Sequence, residues 1–203
     1  MICVKEYELS PLDLSCAAAY AGMGRRASEE EFSLLEVAGV ELARLLVPRV
    51  CYTELPVLHT SGGVTIGGVQ FCSDSLAMRL CDCDSAVLFV ATVGGAPDRL
   101  MAKYSHVSPA ASLAVSAVGS ERVEALCDLF CAELAAENAT RGRVTVQRFS
   151  PGYGDLPLSV QRDIFLVLAP HKHIGVMLGD SLLMSPSKSV SAIVGIKPRK
   201  DSL

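Results

Sequence analysis

Apolar positions along this chain recur in two rhythms, every second residue or every third to fourth, and the switches between them mark its elements. Ile2 to Leu9 reads as a strand and Asp13 to Ala21 as a short helix. Ser28-Glu-Glu-Glu31 is a capping box: the Ser28 hydroxyl accepts from a first-turn N–H and Glu31 reaches back. Phe32, Leu35, Leu42 and Leu45 then share a helical face, and Pro48 ends the helix. From Val50 to Phe71 the chain turns to β-branched residues and glycine, punctuated by Ser61-Gly-Gly63 and Gly67-Gly68, which predicts a β-ribbon or meander. A helical turn or two over Ser75 to Leu80 leads into Ser85 to Val93, the most apolar strand candidate, expected to be buried on both faces. Gly94-Gly95-Ala-Pro-Asp98 breaks that strand and opens a short helix to Tyr104. Ser108-Pro109, a capping hydroxyl followed by proline, opens a helix that runs to about Asn138 and at ~1.5 Å per residue is roughly 45 Å long.

Val144-Thr-Val-Gln-Arg-Phe149 alternates as a strand, and Pro151, Gly152 and Gly154 forbid its regular continuation. A short helix from Val160 to Leu168 follows, with Ser159 as its expected N-cap, and then strand-like runs including Ser189 to Gly195. There is no regular strand-helix alternation. The pattern therefore predicts an α+β fold, a mainly antiparallel sheet packed by one long and several short helices. One domain over 1–203 is expected, with a helical N-terminal region at 1–50 and an α+β core at 51–203.

Half of the 203 residues are apolar, yet no run approaches the ~20 apolar residues of a membrane span. The first residues carry no basic stretch followed by an apolar core, so the expectation is a cytoplasmic protein without membrane association. A net charge of -4 without a dense Lys/Arg cluster provides no footprint for nucleic acid. The eight cysteines are expected to be reduced. Cys81, Cys83, Cys127 and Cys131 are four potential thiolates, but neither pair has Cys-x-x-Cys spacing, and Cys127 falls on the apolar stripe Val123, Cys127, Phe130, Leu134; no metal site is expected.

Candidate chemistry gathers where the Val144 to Phe149 strand ends. Arg148 has a guanidinium fork suited to holding a carboxylate, glycines at 152 and 154 let a ligand approach the backbone, and Tyr153 offers a flat amphipathic face. Taken alone, the same residues also describe a surface arginine beside a Pro-Gly turn. His59, His106, His171 and His173 lie in no Gly-x-Ser-x-Gly or Cys-His setting, and no phosphate-binding glycine motif is present.

The order of short motifs adds more. Arg148-x-x-x-Gly152-Tyr153, a helix, Lys172-His-Ile-Gly175, a strand-like run ending in Asp180-Ser181, and Ser189-Val-Ser191 follow one another, preceded by Thr92-Val-Gly-Gly95, a short helix and a long one. This succession resembles the activation domain of cobalamin-dependent methionine synthase, over most of Ser75 to Ile196. The family's Glu-Ser is Asp180-Ser181 here, its Cys-Pro after Gly-Tyr is Leu156-Pro157, and its Tyr-Tyr pair beyond Ser-Val-Ser has no counterpart before Leu203.

The resemblance implies that the chain binds S-adenosylmethionine and assists the reductive remethylation of a corrinoid. Arg148 would hold the methionyl carboxylate, the Pro151 and Gly152 backbone would line the adenosyl part, and Tyr153 would face the sulfonium or the corrinoid. Asp180 and Ser181 would complete the set. The cobalamin would be carried by a separate methionine synthase or methyltransferase, with an electron donor of flavodoxin or ferredoxin type. Such a protein needs no nucleophile of its own and acts through proximity and orientation. Two other readings stand beside it: a non-enzymatic binding or assembly module that keeps the fold without the ligand, and an independent methyltransferase.

Overall fold

The computed structural model describes residues 1–23 and 27–199; residues 24–26 and the last four of the expected 1–203 unit lie outside the described residues. At its centre β5 (Ser85–Thr92) runs antiparallel between β2 (Arg49–Thr60) and β9 (Ser189–Pro198), and its side chains from Ala86 to Thr92 are all buried. Strand alternation sends Ala86, Leu88 and Val90 into one apolar core and Val87, Phe89 and Ala91 into another. The sheet order is β4 (Val69–Phe71), β3 (Gly63–Ile66), β2, β5, β9, β6 (Arg143–Thr145), with β1 (Cys3–Glu6) paired to the first part of β2. Each of these pairings is antiparallel. A separate hairpin joins β7 (Met177–Leu178) to β8 (Met184–Ser185).

One face of the sheet is covered by α3 (Asp74–Arg79), α6 (Gln161–Leu168) and α7 (Pro170–His173), through Leu76, Leu80, Ile164, Leu168 and the adjoining Ile174. The other receives the second half of α5 (Pro109–Ala139), whose Val123, Leu126, Cys127, Phe130 and Leu134 lie against Phe89, Ala192 and Val194. The Phe130 ring sits 4.9 Å from Phe89 and 5.0 Å from Tyr52, both tilted, a favoured aromatic arrangement. The first half of α5 packs instead on α1 (Leu14–Tyr20), α2 (Glu29–Ala43) and α4 (Ala96–Tyr104), through Ala114, Val115, Ala117 and Val118. Between the two halves lies a buried ion pair. Arg122 pairs with Glu121 and donates to the carbonyl oxygens of Ser10 and Pro11, tying the segment before α1 to the helix. Because both charges are taken from water, the pair fixes position more than it adds stability.

The fold is the α+β arrangement expected, and both helix-start signals hold: the Ser28 capping box is complete, and Ser108 caps Ala111 with Pro109 first in the helix. Four boundaries differ. The first strand spans Cys3–Glu6; the Tyr7 N–H still donates to the Pro48 carbonyl at 3.1 Å, while its side chain reaches Glu133 on α5. Helix α2 ends at Ala43, well before Pro48, and Leu45 lies outside it, 44% exposed. Ser159 is not an N-cap; it lies inside a 3-10 turn, Leu158–Val160, that runs straight into α6 and leaves no capping position open. The alternation from Val144 to Phe149 is regular strand only as far as Thr145. No described helix is long and apolar enough to cross a membrane.

Gly195 in β9 tests the packing between the sheet and α3. A Cβ there would stand 2.4 Å from Leu80 Cδ2, 2.6 Å from Cys83 Sγ and 2.9 Å from Val146 Cγ2. Gly195→Ala should therefore destabilise by about 1–3 kcal/mol, as overpacked cores do. In thermal denaturation followed by circular dichroism, the midpoint should fall by several degrees; an unchanged or raised midpoint would show that this layer is looser than described.

Candidate functional site

The exposed edge of the sheet carries the candidate site, and a one-residue irregularity creates it. Along β6 the register pairs Thr145 with Ile196, and Val146 N–H still donates to Gly195 at 2.9 Å. Pairing then resumes at Phe149 with Ile193, through two bonds of 2.8 and 2.9 Å. Gln147 and Arg148 thus stand opposite the single residue Val194, a β-bulge, and a bulge re-aims the side chains it carries. Phe149 turns into the core beneath α3 and α6, while Arg148 reaches the opposite layer and meets α5.

On α5 the guanidinium finds two carboxylates one turn apart, bonding Glu124 at 2.5 Å and pairing with Asp128 at 3.1 Å. Both contacts use Nη2; Nη1 is buried and has no hydrogen-bond partner. An unpaired buried donor on a charged group is costly. Spacing of four residues puts Glu124 and Asp128 on one helical face, a signal present in the sequence but not readable as a site without knowing that Arg148 faces it.

After Phe149 the chain makes a tight loop. Gly152 (φ +93°) donates its N–H to Leu156 at 2.8 Å, and Gly154 (φ +57°) packs so closely that a Cβ would meet Ser75 Oγ at 2.9 Å. Both positions favour glycine by backbone conformation, and Gly154 by space as well. Asp155 anchors the loop to the start of α3: its carboxylate accepts from Ser73 Oγ at 2.6 Å, Asp74 N–H at 2.7 Å and Ser75 N–H at 3.1 Å. Bonds from Ser73 first, and then from Ser75 and the Asp74 backbone, hold its pKa well below the ordinary carboxylate value.

Bulge and loop frame a cleft of about 290 Å³ whose lining includes Arg79, Glu124, Arg148, Phe149, Ser150 and Tyr153. Of the residues expected to bind a ligand, Arg148 and Tyr153 line this cleft, Pro151 and Gly152 form the loop beside it, and Tyr153 is 67% exposed. Asp180 and Ser181 lie elsewhere, exposed on the turn between β7 and β8, and do not line the cleft. Arg79 and Glu124 had not been anticipated. The Arg79 guanidinium sits 5.2 Å from the Phe149 ring centroid, a cation-π distance, so the cleft offers an exposed cation as well as the half-buried one.

The cysteines do not converge. Cys83 belongs to the core on one side of the sheet and Cys127 to the core on the other. Burial pushes the Cys131 thiol up to about 11 and raises that of Cys127 further, which keeps both protonated and unreactive at neutral pH. His171 and His173 are exposed in α7, and His59 Nε2 lies 3.2 Å from the Cys83 carbonyl.

An antiparallel sheet with helices on both faces, and a cleft at the bulged edge strand, makes this an α+β molecule. Among solved structures the chain is similar to the crystal structure of the MetH reactivation domain bound to AdoHcy, with a TM-score of 0.73 over 100% of this chain and 80% of that one, at 16% sequence identity. The two share a fold. No family model matches the chain, and no curated protein does.

The anchoring role of Asp155 has a pH signature. Its folded pKa lies below the ordinary ~3.9, so its stabilisation is fully present above that value and is lost as pH falls through the folded pKa. Asp155→Ala should lower the melting midpoint at neutral pH, and the gap from wild type should narrow progressively below about pH 4. A gap that is absent at neutral pH, or constant down to acid pH, would contradict the cap.

Proposed function

We propose that this chain is a reactivation-domain-like protein that binds S-adenosylmethionine in the cleft beside Arg148 and presents its methyl group to the corrinoid of a separate protein. The observation that carries this reading is the juxtaposition, in a fold shared with the AdoHcy-bound MetH reactivation domain, of a half-buried guanidinium and a glycine loop at the same cleft. The ligand's methionyl carboxylate would take the Arg148 guanidinium, and its ammonium would be drawn to the carboxylate side of the cleft at Glu124. Pro151 and Gly152 would line the adenosyl part, and Tyr153 would stand over the sulfonium. When bound, the ligand supplies an activated methyl group; the chain's own residues hold, orient and partly dehydrate it.

Cobalamin would come with the partner, a corrinoid methionine synthase or methyltransferase, and electrons from a flavodoxin- or ferredoxin-type donor. The same reading treats the chain as one working unit, since β1 pairs with β2 and α1, α2 and α4 pack on the helix that carries Glu124. One observation favours the second reading, a binding or assembly module without the ligand: Glu124 and Asp128 already satisfy part of Arg148, so the arginine also ties the edge loop to α5.

Titration calorimetry with S-adenosylmethionine separates the two. Wild type should bind, and Arg148→Ala should weaken binding at least about tenfold, because charge-assisted hydrogen bonds are each worth about 1.5–3 kcal/mol. Arg148→Lys should restore only part of the affinity, since an ammonium cannot reproduce the planar fork. Melting midpoints measured alongside keep loss of fold apart from loss of ligand. No binding by a folded wild type would leave the module reading, as would an affinity that Arg148→Ala does not change.

A further inference from the structure

Helix α3 ends on Arg79, and the two chain neighbours of Arg148 hold that side chain at the cleft. The Arg79 guanidinium lies 5.2 Å from the centroid of the Phe149 ring and donates from Nη1 to Gln147 Oε1 at 3.4 Å. The bulge thus places two arginines at one opening, Arg148 half-buried against α5 and Arg79 exposed on the side of α3.

The two cations differ in how much of their charge is already matched. Arg148 meets Glu124 at 2.5 Å and Asp128 at 3.1 Å, two carboxylates for one guanidinium. A ligand carboxylate brought to Arg148 also approaches Glu124, and like charges in one cleft repel. Among the described residues Arg79 has no carboxylate within ion-pair distance; its partners are an amide oxygen and a ring face, which leave its charge in place. Arg148, Glu124 and Asp128 together carry one net negative charge, and Arg79 brings the group to neutrality. Without Arg79 the cleft would repel an anion. A basic residue in the last turn of a helix also favours the helix dipole, but that role shows in stability and not in the choice of ligand.

We propose that Arg79 is the specificity-determining residue of this cleft: it supplies the unmatched positive charge that selects a ligand bearing a free carboxylate, while Arg148, already held by α5, orients that carboxylate. The inference rests on the reading of the cleft as an S-adenosylmethionine site, and deepens it by dividing recognition of the methionyl carboxylate between two arginines. The division has two consequences. Arg148 works through its planar fork, which a lysine does not reproduce, whereas Arg79 works through charge, which a lysine over the same ring supplies. An exposed charge is also screened by salt, since the Debye length falls from about 10 Å at 0.1 M to about 3 Å at 1 M.

The test is titration calorimetry on the whole chain with S-adenosylmethionine and with its decarboxylated analogue, which keeps the adenosyl, sulfonium and amine groups and lacks the carboxylate. Wild type should favour the carboxylated ligand. Arg79→Gln should cut that preference about threefold or more at low salt, through weaker binding of S-adenosylmethionine and unchanged or tighter binding of the analogue. Arg79→Lys should keep most of the preference, and in about 1 M salt wild type should approach Arg79→Gln. A preference that survives in Arg79→Gln would overturn the assignment, as would affinities for both ligands that fall together with the melting midpoint. A wild type that binds both ligands equally would overturn the role of Arg79 and leave the S-adenosylmethionine site standing; a wild type that binds neither would contradict that site and this inference with it.

Discussion

Because β5 buries its side chains on both faces, neither face of the sheet can be left to water, and the layers on each side follow. Strand partners β2 and β9 take its backbone bonds, and their own inward residues extend the two cores. Phe89 and Val87 require a long apolar surface opposite, which α5 supplies with Leu126, Phe130 and Cys127; Leu88 and Val90 require another, supplied by α3 and α6. A helix that spans more than the sheet's width projects beyond it, and that free first half of α5 gathers α1, α2 and α4 into the third core.

The candidate site arises where this two-sided order ends. β6 is an edge strand, and edges are where bulges are tolerated and useful. One extra residue is enough to send Phe149 into one core and Arg148 to the opposite helix, so that a cation, the Glu124 carboxylate and a glycine loop meet at a single opening. Asp155 then fixes the far end of the loop to α3. Cleft geometry is in this way inherited from the sheet register and from a helix cap, both of which are rigid features, and a site on rigid elements is better preorganised than one on a free loop.

Much of this was legible in the residues. The predominantly apolar run at Ser85 to Val93 announced a strand buried twice over, and the Ser28 and Ser108 signals placed two helix starts because capping is a local interaction. The ordered motifs from Arg148 to Ser191 pointed to the fold that the structure shows. What was not legible is non-local. Nothing in the alternation of Val144 to Phe149 marks the bulge, since it arises from register against β9; without the bulge, Arg148 and Glu124 cannot be known to meet. Ser159 resembled a cap because serine before an apolar run usually is one, yet Pro157 starts a 3-10 turn there and removes the need. Asp180 and Ser181 were grouped with the site by motif order, while the hairpin that carries them places both on an exposed turn.

The central claim is that the bulged edge beside α5 is where this protein takes its small-molecule ligand. The most direct measurement is a ¹H–¹⁵N correlation spectrum titrated with S-adenosylmethionine, including the Arg148 side-chain Nε–H resonance. The account predicts saturable shifts confined to residues 147–155, to Glu124 and its neighbours on α5, and to Arg79, with the Arg148 side-chain signal among the largest. Shifts concentrated elsewhere would contradict it, for instance around the roughly 470 Å³ cavity between Tyr7, Leu42 and Arg122, as would a spectrum that does not change.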